Sequence, residues 1–241
     1  MIGCECEVCL STDPRDKRLR TAALVSTPHT NISIDCGPDF RQQMLRAEVK
    51  KLDAVILTHE HNDHIIGLDD VRPFNFMAKK DMHVYAQPRV SGEVKKRFAY
   101  VFDANPYPGA PRIRLNNINP DESFTVNEIK ITPVKIQHGN LPIVGFRMGD
   151  FAYLTDVKTI AEEEFSKLQD IDTLVLNALH HSFHYSHLNL EEALELIQKL
   201  QPRQAYLTHI SHRMGKYKDI NPTLPNNVSL AYDGLQFNVE V

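Results

Sequence analysis

A dense cluster of histidines and carboxylates directly after a short apolar run is the strongest constraint on this chain. The apolar run covers residues 54–57, and the polar cluster covers residues 58–64. An apolar run that ends on such a cluster is typical of a buried strand that delivers ligands from its C-terminal end. Imidazole and carboxylate groups suit Zn²⁺, Mn²⁺ or Fe²⁺, and the spacing lets two side chains reach one ion while two others reach a second. The sequence therefore predicts a site for two metal ions, with His59, His61, Asp63 and His64 as candidate ligands.

The pattern His59-x-His61-x-Asp63-His64 resembles the signature of the metallo-β-lactamase fold, a large hydrolase family. The resemblance implies an α/β protein built as an αββα sandwich of two mixed β-sheets. It also requires three further ligands, each placed after a later strand. The chain supplies them as His138, Asp156 and His209, which follow runs at residues 129–136, 151–155 and 204–208.

The same resemblance implies how the ligands are shared between two catalytic Zn²⁺ ions, for which Mn²⁺ is an alternative. One ion takes His59, His61, His138 and Asp156. The other takes Asp63, His64, His209 and, again, Asp156, so that this carboxylate bridges the pair. Asp63 is therefore expected to serve catalysis as well as metal binding.

A second cluster, at the start of the chain, contains Cys4, Cys6 and Cys9. These cysteines are too tightly spaced for a disulfide framework, and three thiolates need a fourth donor to complete a tetrahedral zinc site. His212, three residues beyond His209, is the expected donor, which gives one structural Zn²⁺. The alternative is three reduced, buried cysteines. Cys36 has apolar neighbours and is expected in the core.

The cysteine cluster combined with the segment 207–212 resembles the group of phosphoribosyl 1,2-cyclic phosphate phosphodiesterases. That resemblance implies a catalytic histidine on a loop before a helix, and the matching position is His187. We expect His187 to protonate the leaving group, and three nearby histidines remain as alternatives, namely His180, His181 and His184. Relatives begin with a strand and a glycine-rich turn before the cysteines, whereas this chain begins at Met1, so that first strand is expected to be absent.

Further polar residues have candidate roles around the site. Asp35 follows the run 32–34 and is expected to orient a ligand imidazole. Arg72 and the basic run 15–20 are candidates for holding a phosphate, although a charge run is usually a solvated face.

Hydrophobic periodicity and turn residues outline the remaining structure. Helices are predicted at about 38–47, 89–100, 160–168 and 190–200, the last with Asn189 as N-cap and Pro202 as its stop. The pairs at 127–128 and 149–150 indicate hairpin turns, so mixed sheets are expected. The proline-rich stretch 105–111 predicts a loop near the mouth of the site.

Composition sets the remaining expectations. The 241 residues, 42% of them hydrophobic, predict a single domain over 1–241. No apolar run approaches about 18 residues and no signal peptide is evident, so we expect no membrane segment, and free thiol ligands indicate the cytoplasm. A net charge of −4 makes a small anionic substrate a better expectation than a long nucleic acid. A homodimer is compatible with the sequence.

Four functions compete. The preferred one is a phosphodiesterase for small cyclic or nucleotide-like phosphodiesters, in which a metal pair lowers the pKa of bound water from 15.7 toward roughly 7. The alternatives are an endonuclease that trims the 3′ ends of transfer RNA, a thioester hydrolase of the glyoxalase type, and a non-catalytic, zinc-stabilised binding module.

Overall fold

The computed structural model describes residues 1–241 and contains two compact units, each built around one β-sheet. Residues 20–129 form the first-sheet unit, and residues 1–19 with 130–241 form the second-sheet unit. The strands are β1 (Ala23–Ser26), β2 (Asn31–Ile34), β3 (Ala54–Ile56), β4 (Met82–Ala86), β5 (Ile113–Asn117), β6 (Phe124–Val126), β7 (Ile129–His138), β8 (Leu141–Met148), β9 (Phe151–Leu154), β10 (Thr159–Ile160), β11 (Thr173–Asn177), β12 (Gln204–Thr208) and β13 (Val228–Leu230). The helices are α1 (Phe40–Arg46), α2 (Asn62–Ile65), α3 (Arg72–Ala78), α4 (Pro88–Arg97), α5 (Leu190–Leu200) and α6 (Tyr217–Ile220).

The first sheet has the strand order β1-β2-β3-β4-β5. β1 and β2 pair antiparallel, whereas β2, β3, β4 and β5 pair parallel. The central strand β3 is buried along its whole length, as expected of a parallel strand that is covered on both faces. Its apolar neighbours include the fully buried Cys36 and Leu57, so the prediction that Cys36 lies in the core is confirmed.

The second sheet has the strand order β10-β7-β8-β9-β11-β12-β13. Strands β7, β8 and β9 pair antiparallel in succession, and β9, β11, β12 and β13 pair parallel. A turn at Gly149 and Asp150 joins β8 to β9, and Asn127 and Glu128 separate β6 from β7, as predicted for both turns. The fold-class prediction of an α/β protein with two mixed sheets is confirmed.

Three of the four predicted helices form. α1 and α4 lie within their predicted ranges to within one residue, and a 3₁₀ turn, Ala99–Val101, follows α4. The fourth prediction, a helix over 160–168, is wrong. Thr159 and Ile160 pair with β7 as strand β10, and Glu162–Leu168 form a 3₁₀ helix. The buried Glu164 carboxylate accepts a hydrogen bond from the Lys135 backbone at 2.8 Å, and this tertiary contact overrides the helical pattern.

Helix α5 begins and ends where the sequence predicts. The Asn189 side chain accepts from the Glu192 backbone N–H at 2.9 Å, and the Glu192 carboxylate accepts from the Asn189 N–H at 2.9 Å. This capping box satisfies two backbone donors that would otherwise lack partners. Gln201 ends the helix in a left-handed conformation, and Pro202 follows. The helices of the chain are all too short or too polar to cross a lipid bilayer.

Replacing the capping residue should destabilise the protein measurably. Asn189→Ala removes the side-chain acceptor, so the free energy of unfolding should fall by about 1 kcal/mol in urea denaturation of metal-saturated protein. Asn189→Ser keeps a hydroxyl acceptor and should lose much less. Equal stability of the alanine variant and the unmodified chain would contradict this role for Asn189.

Candidate metal centre

In the first-sheet unit, a buried aspartate organises the histidine cluster. Asp35 follows β2, and because β2 and β3 are parallel neighbours, the residues after β3 lie beside it. The Asp35 carboxylate accepts from the Thr58 N–H at 2.9 Å and from the Thr58 hydroxyl. Its other oxygen lies 2.7 Å from Nδ1 of His64. A carboxylate can only accept, so Nδ1 of His64 carries the proton and Nε2 presents a lone pair, as a metal ligand requires.

The other ligand candidates of this unit converge on the same region. His61 is the N-cap of the short helix α2, which carries Asp63 and His64. Nε2 of His59 lies 3.1 Å from Nδ1 of His61, and the rings of His59 and His64 are 4.2 Å apart. Two nitrogens bound to one tetrahedral zinc ion lie about 3.3 Å apart. The spacing of this imidazole pair therefore fits shared coordination.

The backbone behind this cluster leaves no room for a side chain at Gly37. A Cβ built there would lie 2.2 Å from the carbonyl oxygen of Asp63. The Cys36 N–H donates to the His64 carbonyl at 2.7 Å, which brings the two segments together. No local motif marks this positioning role of Gly37, because the role depends on a close approach between distant segments.

In the second-sheet unit, strand direction brings three predicted ligands to one sheet edge. β7 and β9 both run antiparallel to β8, and β9, β11 and β12 are parallel. The C-terminal ends of β7, β9 and β12 therefore lie on the same edge. His138 is the last residue of β7, Asp156 comes two residues after β9, and His209 directly follows β12.

Asp156 is the centre of this group. It is 2% exposed, and its Oδ1 lies 3.2 Å from Nε2 of His209, 3.6 Å from Nδ1 of His187 and 4.0 Å from Nε2 of His138. Its Oδ2 accepts from the Thr155 hydroxyl at 2.6 Å. Asp156 and His209 both have left-handed backbones, with φ of 60° and 52°. Non-glycine residues in sparsely populated backbone regions cost roughly 1–3 kcal/mol each and cluster at functional sites.

The neighbours of Asp156 fix the histidine rings. Nδ1 of His138 donates to the Ser186 carbonyl at 2.8 Å, so its Nε2, which faces Asp156, carries a lone pair. His187 is 8% exposed, and its Nδ1 has no hydrogen-bond partner. Burial, followed by the neighbouring His209, lowers the pKa of His187 to about 3. The ring is therefore neutral at pH 7, and a neutral imidazole keeps one N–H that it can donate.

The alternative histidines occupy different positions on the same loop. Nε2 of His181 donates to the Met214 carbonyl at 2.8 Å, which commits that nitrogen to a structural contact. The His184 ring lies 5.0 Å from the His187 ring at an angle of 45°, and its Nδ1 lies 3.3 Å from the Ser186 hydroxyl. His180 is buried, and its Nδ1 has no hydrogen-bond partner. His187 is the member of this group that faces Asp156.

The three cysteines of the N-terminal segment lie together with His212. Nδ1 of His212 lies 3.5 Å from Sγ of Cys4 and 3.4 Å from Sγ of Cys6. The donor atoms of these residues and Cys9 all lie within 4.8 Å of one another. The sulfur-to-nitrogen distance in a tetrahedral zinc site is about 3.5 Å. The contact with His212 lowers the pKa of Cys6 to about 6, which favours the thiolate that metal binding needs.

The phosphate-binding candidates fall into separate environments. Arg72 donates to the Gly109 carbonyl at 3.2 Å, which ties down the loop 105–111. In the run 15–20, Arg15 pairs with Asp13, and Arg18 bonds to the Ala231 carbonyl. Arg20, whose side chain is 61% exposed, has its Nη1 3.8 Å from the Asp63 carboxylate, and Lys17 donates to the Cys9 carbonyl at 2.7 Å.

Comparison with known proteins places the chain in the beta-lactamase superfamily. A model of the beta-lactamase superfamily domain matches residues 30–210. The crystal structure of a diphosphatase from the PhnP family is similar, with a TM-score of 0.91 and 37% identity, over 98% of this chain and 89% of that chain.

Two curated relatives match over part of their length. An octanoyltransferase of Porphyromonas gingivalis is 42% identical over 237 residues, which is 98% of this chain and 48% of that protein. A ribonuclease Z of Macrococcus caseolyticus is 26% identical over 152 residues, which is 58% of this chain and 48% of that protein. The chain thus spans about half the length of the curated relatives it matches.

The donor sets predict three metal ions per chain, one of them at the cysteine cluster. Cys6→Ser should remove one zinc per chain in elemental analysis of metal-replete protein. It should also lower the melting temperature, because binding at a structural zinc site contributes folding free energy. Cys36→Ala is the matched control, since it changes a buried cysteine outside the cluster and should leave the zinc content unchanged. An unchanged zinc content in Cys6→Ser would show that the cluster holds no metal.

Proposed function

Because this chain belongs to the β-lactamase superfamily and, within it, to the family of the PhnP-type diphosphatase, we propose that this hydrolase is a metal-dependent phosphodiesterase. Its substrates are small cyclic or nucleotide-like phosphodiesters, including substituted diphosphates. The observation that carries the proposal is the buried Asp156 carboxylate, which has imidazole nitrogens of three histidines within 4.0 Å at one sheet edge.

The donor chemistry of both units fits divalent metal ions. Lone pairs on Nε2 of His64 and of His138 are set by hydrogen bonds at Nδ1, and the His59 and His61 nitrogens are spaced for one ion. The residues that would hold the ions are those named from the sequence, including Asp156. When bound, divalent ions stabilise negative charge on phosphoryl oxygens and lower the pKa of water to roughly 7.

The chain's own side chains then have separable tasks. Asp35 holds the His64 ring, and the Ser186 carbonyl holds the His138 ring, so neither ring needs to reorganise during the reaction. His187 presents a buried nitrogen without a hydrogen-bond partner beside Asp156. We assign to His187 the donation of a proton to the departing oxygen. The ring must first bind that proton, and the negative charge of a phosphodiester beside it would favour the imidazolium form.

The alternatives are weaker on specific grounds. A ribonuclease Z activity is suggested by a relative that matches 58% of this chain, but a net charge of −4 does not favour a long polyanion. The name octanoyltransferase applies to a protein of which this chain matches 48%, so it is not carried over. A purely structural metal site does not account for the buried, unpartnered nitrogen of His187 beside a carboxylate, because structural zinc sites are closed.

A small substrate panel tests the function. Metal-replete protein should hydrolyse bis(p-nitrophenyl) phosphate and a nucleotide-linked diphosphate, and should leave an acyl thioester and a transfer-RNA precursor intact. Asp156→Asn, which tolerates the left-handed backbone but removes the charge, should abolish the hydrolysis while the cysteine site keeps its zinc. Thioester hydrolysis that exceeds phosphodiester hydrolysis would overturn the proposal, and so would full activity of Asp156→Asn.

The assignment of His187 predicts a dependence on the leaving group. His187→Ala should reduce the rate by roughly 10²–10⁴ for a substrate with an alkoxide leaving group, which needs a proton. The loss with p-nitrophenolate as leaving group should be much smaller, and metal content should not change. His181→Ala is the matched control on the same loop, because its ring bonds to the Met214 carbonyl. Equal losses on both substrates would indicate that His187 positions the substrate instead.

A further inference from the structure

The loop that carries His187 also carries the two most exposed aromatic rings of the chain. Phe183 is 72% exposed and Tyr185 is 74% exposed. A single exposed aromatic side chain is ordinary. Two on one short loop, next to a group that faces Asp156, call for a physical reason.

The backbone of this loop is fixed at its base. The Leu179 N–H donates to the Leu188 carbonyl at 3.0 Å, and the Leu190 N–H donates to the His180 carbonyl at 2.9 Å. The Leu188 N–H also donates to Val157, beside Asp156. The aromatic residues between these bonds are therefore held on a closed loop attached to the sheet edge.

Side-chain contacts position both rings. The Lys158 ammonium lies 4.4 Å from the Phe183 ring centroid. The Tyr185 ring stacks on His184 at 5.0 Å, and His184 lies 5.0 Å from His187. The His184 ring thus links Tyr185 to His187, the group that faces Asp156.

We propose that Phe183 and Tyr185 form a stacking platform for the nucleobase of the substrate, which makes nucleotide-like phosphodiesters the preferred substrate class. This inference rests on the proposed phosphodiesterase function. Stacking of a base on an aromatic side chain contributes roughly 1–3 kcal/mol and tolerates any base, because every base has a π-face.

The charge around the platform favours an uncharged ring over a second phosphate group. Both Glu192 carboxylate oxygens accept from the Lys158 ammonium, at 2.7 and 2.8 Å, so the cation beside Phe183 is already paired. Two rings also provide far less area than a stable protein interface, which buries about 800 Å² per partner. A planar group of a small molecule therefore fits this surface better than a second phosphate group or a protein partner does.

Two substrates with the same leaving group test the platform. The probes are thymidine 5′-(p-nitrophenyl) phosphate, which carries a base, and methyl p-nitrophenyl phosphate, which does not. Tyr185→Ala and Phe183→Ala should each raise KM for the thymidine ester by roughly 5- to 150-fold, with little change in kcat. Neither should alter kcat/KM for the methyl ester. Tyr185→Phe and Phe183→Tyr keep a ring and should restore binding of the thymidine ester.

Each outcome decides one question. Phe76→Ala, an exposed aromatic residue of the first-sheet unit, is the matched control and should change neither ester. Equal losses on both esters, or no loss on either, would overturn the platform. Hydrolysis of both esters by the unmodified chain without a preference for thymidine would also overturn it and leave the proposed function intact. Hydrolysis of neither ester would overturn the proposed function itself. Phe183→Leu and Tyr185→Leu, compared by melting temperature, keep the test valid if an alanine variant unfolds.

Discussion

The buried carboxylate of Asp156 is the constraint on which the candidate centre depends. A carboxylate that is 2% exposed needs compensation for the hydration it has lost, because an isolated buried charge is costly. A hydroxyl at 2.6 Å and a histidine nitrogen at 3.2 Å supply part of it. A divalent cation bound by this carboxylate would add to it. Asp156 and His209 both have left-handed backbones, which direct the carboxylate and the imidazole toward one another at the sheet edge.

The first-sheet unit uses a buried aspartate in a different way. Asp35 also follows a strand and also has a left-handed backbone, with φ of 63°. Its carboxylate faces Nδ1 of His64, whereas Asp156 faces Nε2 of His138 and of His209. An aspartate that accepts a hydrogen bond from Nδ1 fixes the tautomer and leaves the Nε2 lone pair available to a metal ion. An aspartate beside Nε2 is placed to bind the same metal ion as that nitrogen. This difference separates the position of Asp35, which orients the His64 ring, from the ligand role proposed for Asp156.

The sequence alone predicted the structure correctly where a local pattern determines it. One such pattern is the spacing of His59, His61, Asp63 and His64 after an apolar run. It was informative because the end of strand β3 and the short helix α2 are both formed by residues close together in the sequence. The capping box of α5 was equally local. The segment 160–168 was predicted wrongly because the Glu164 carboxylate bonds to strand β7, a contact that periodicity cannot reveal. The Ser186 carbonyl and the Gly37 backbone act through long-range approaches, so no motif marks them.

The cysteine cluster is connected to the loop that carries His187 through a short path. His212 lies three residues after His209, so a metal ion that fixes the imidazole of His212 also restrains the backbone that presents His209 to Asp156. One of the two residues between them, Ser211, donates its N–H to the Leu179 carbonyl at 2.9 Å, at the base of the loop that carries His187. The structural site is thus two short steps from two of the side chains that surround Asp156. Metal binding at the cysteines would therefore contribute to the positions of catalytic groups as well as to folding free energy.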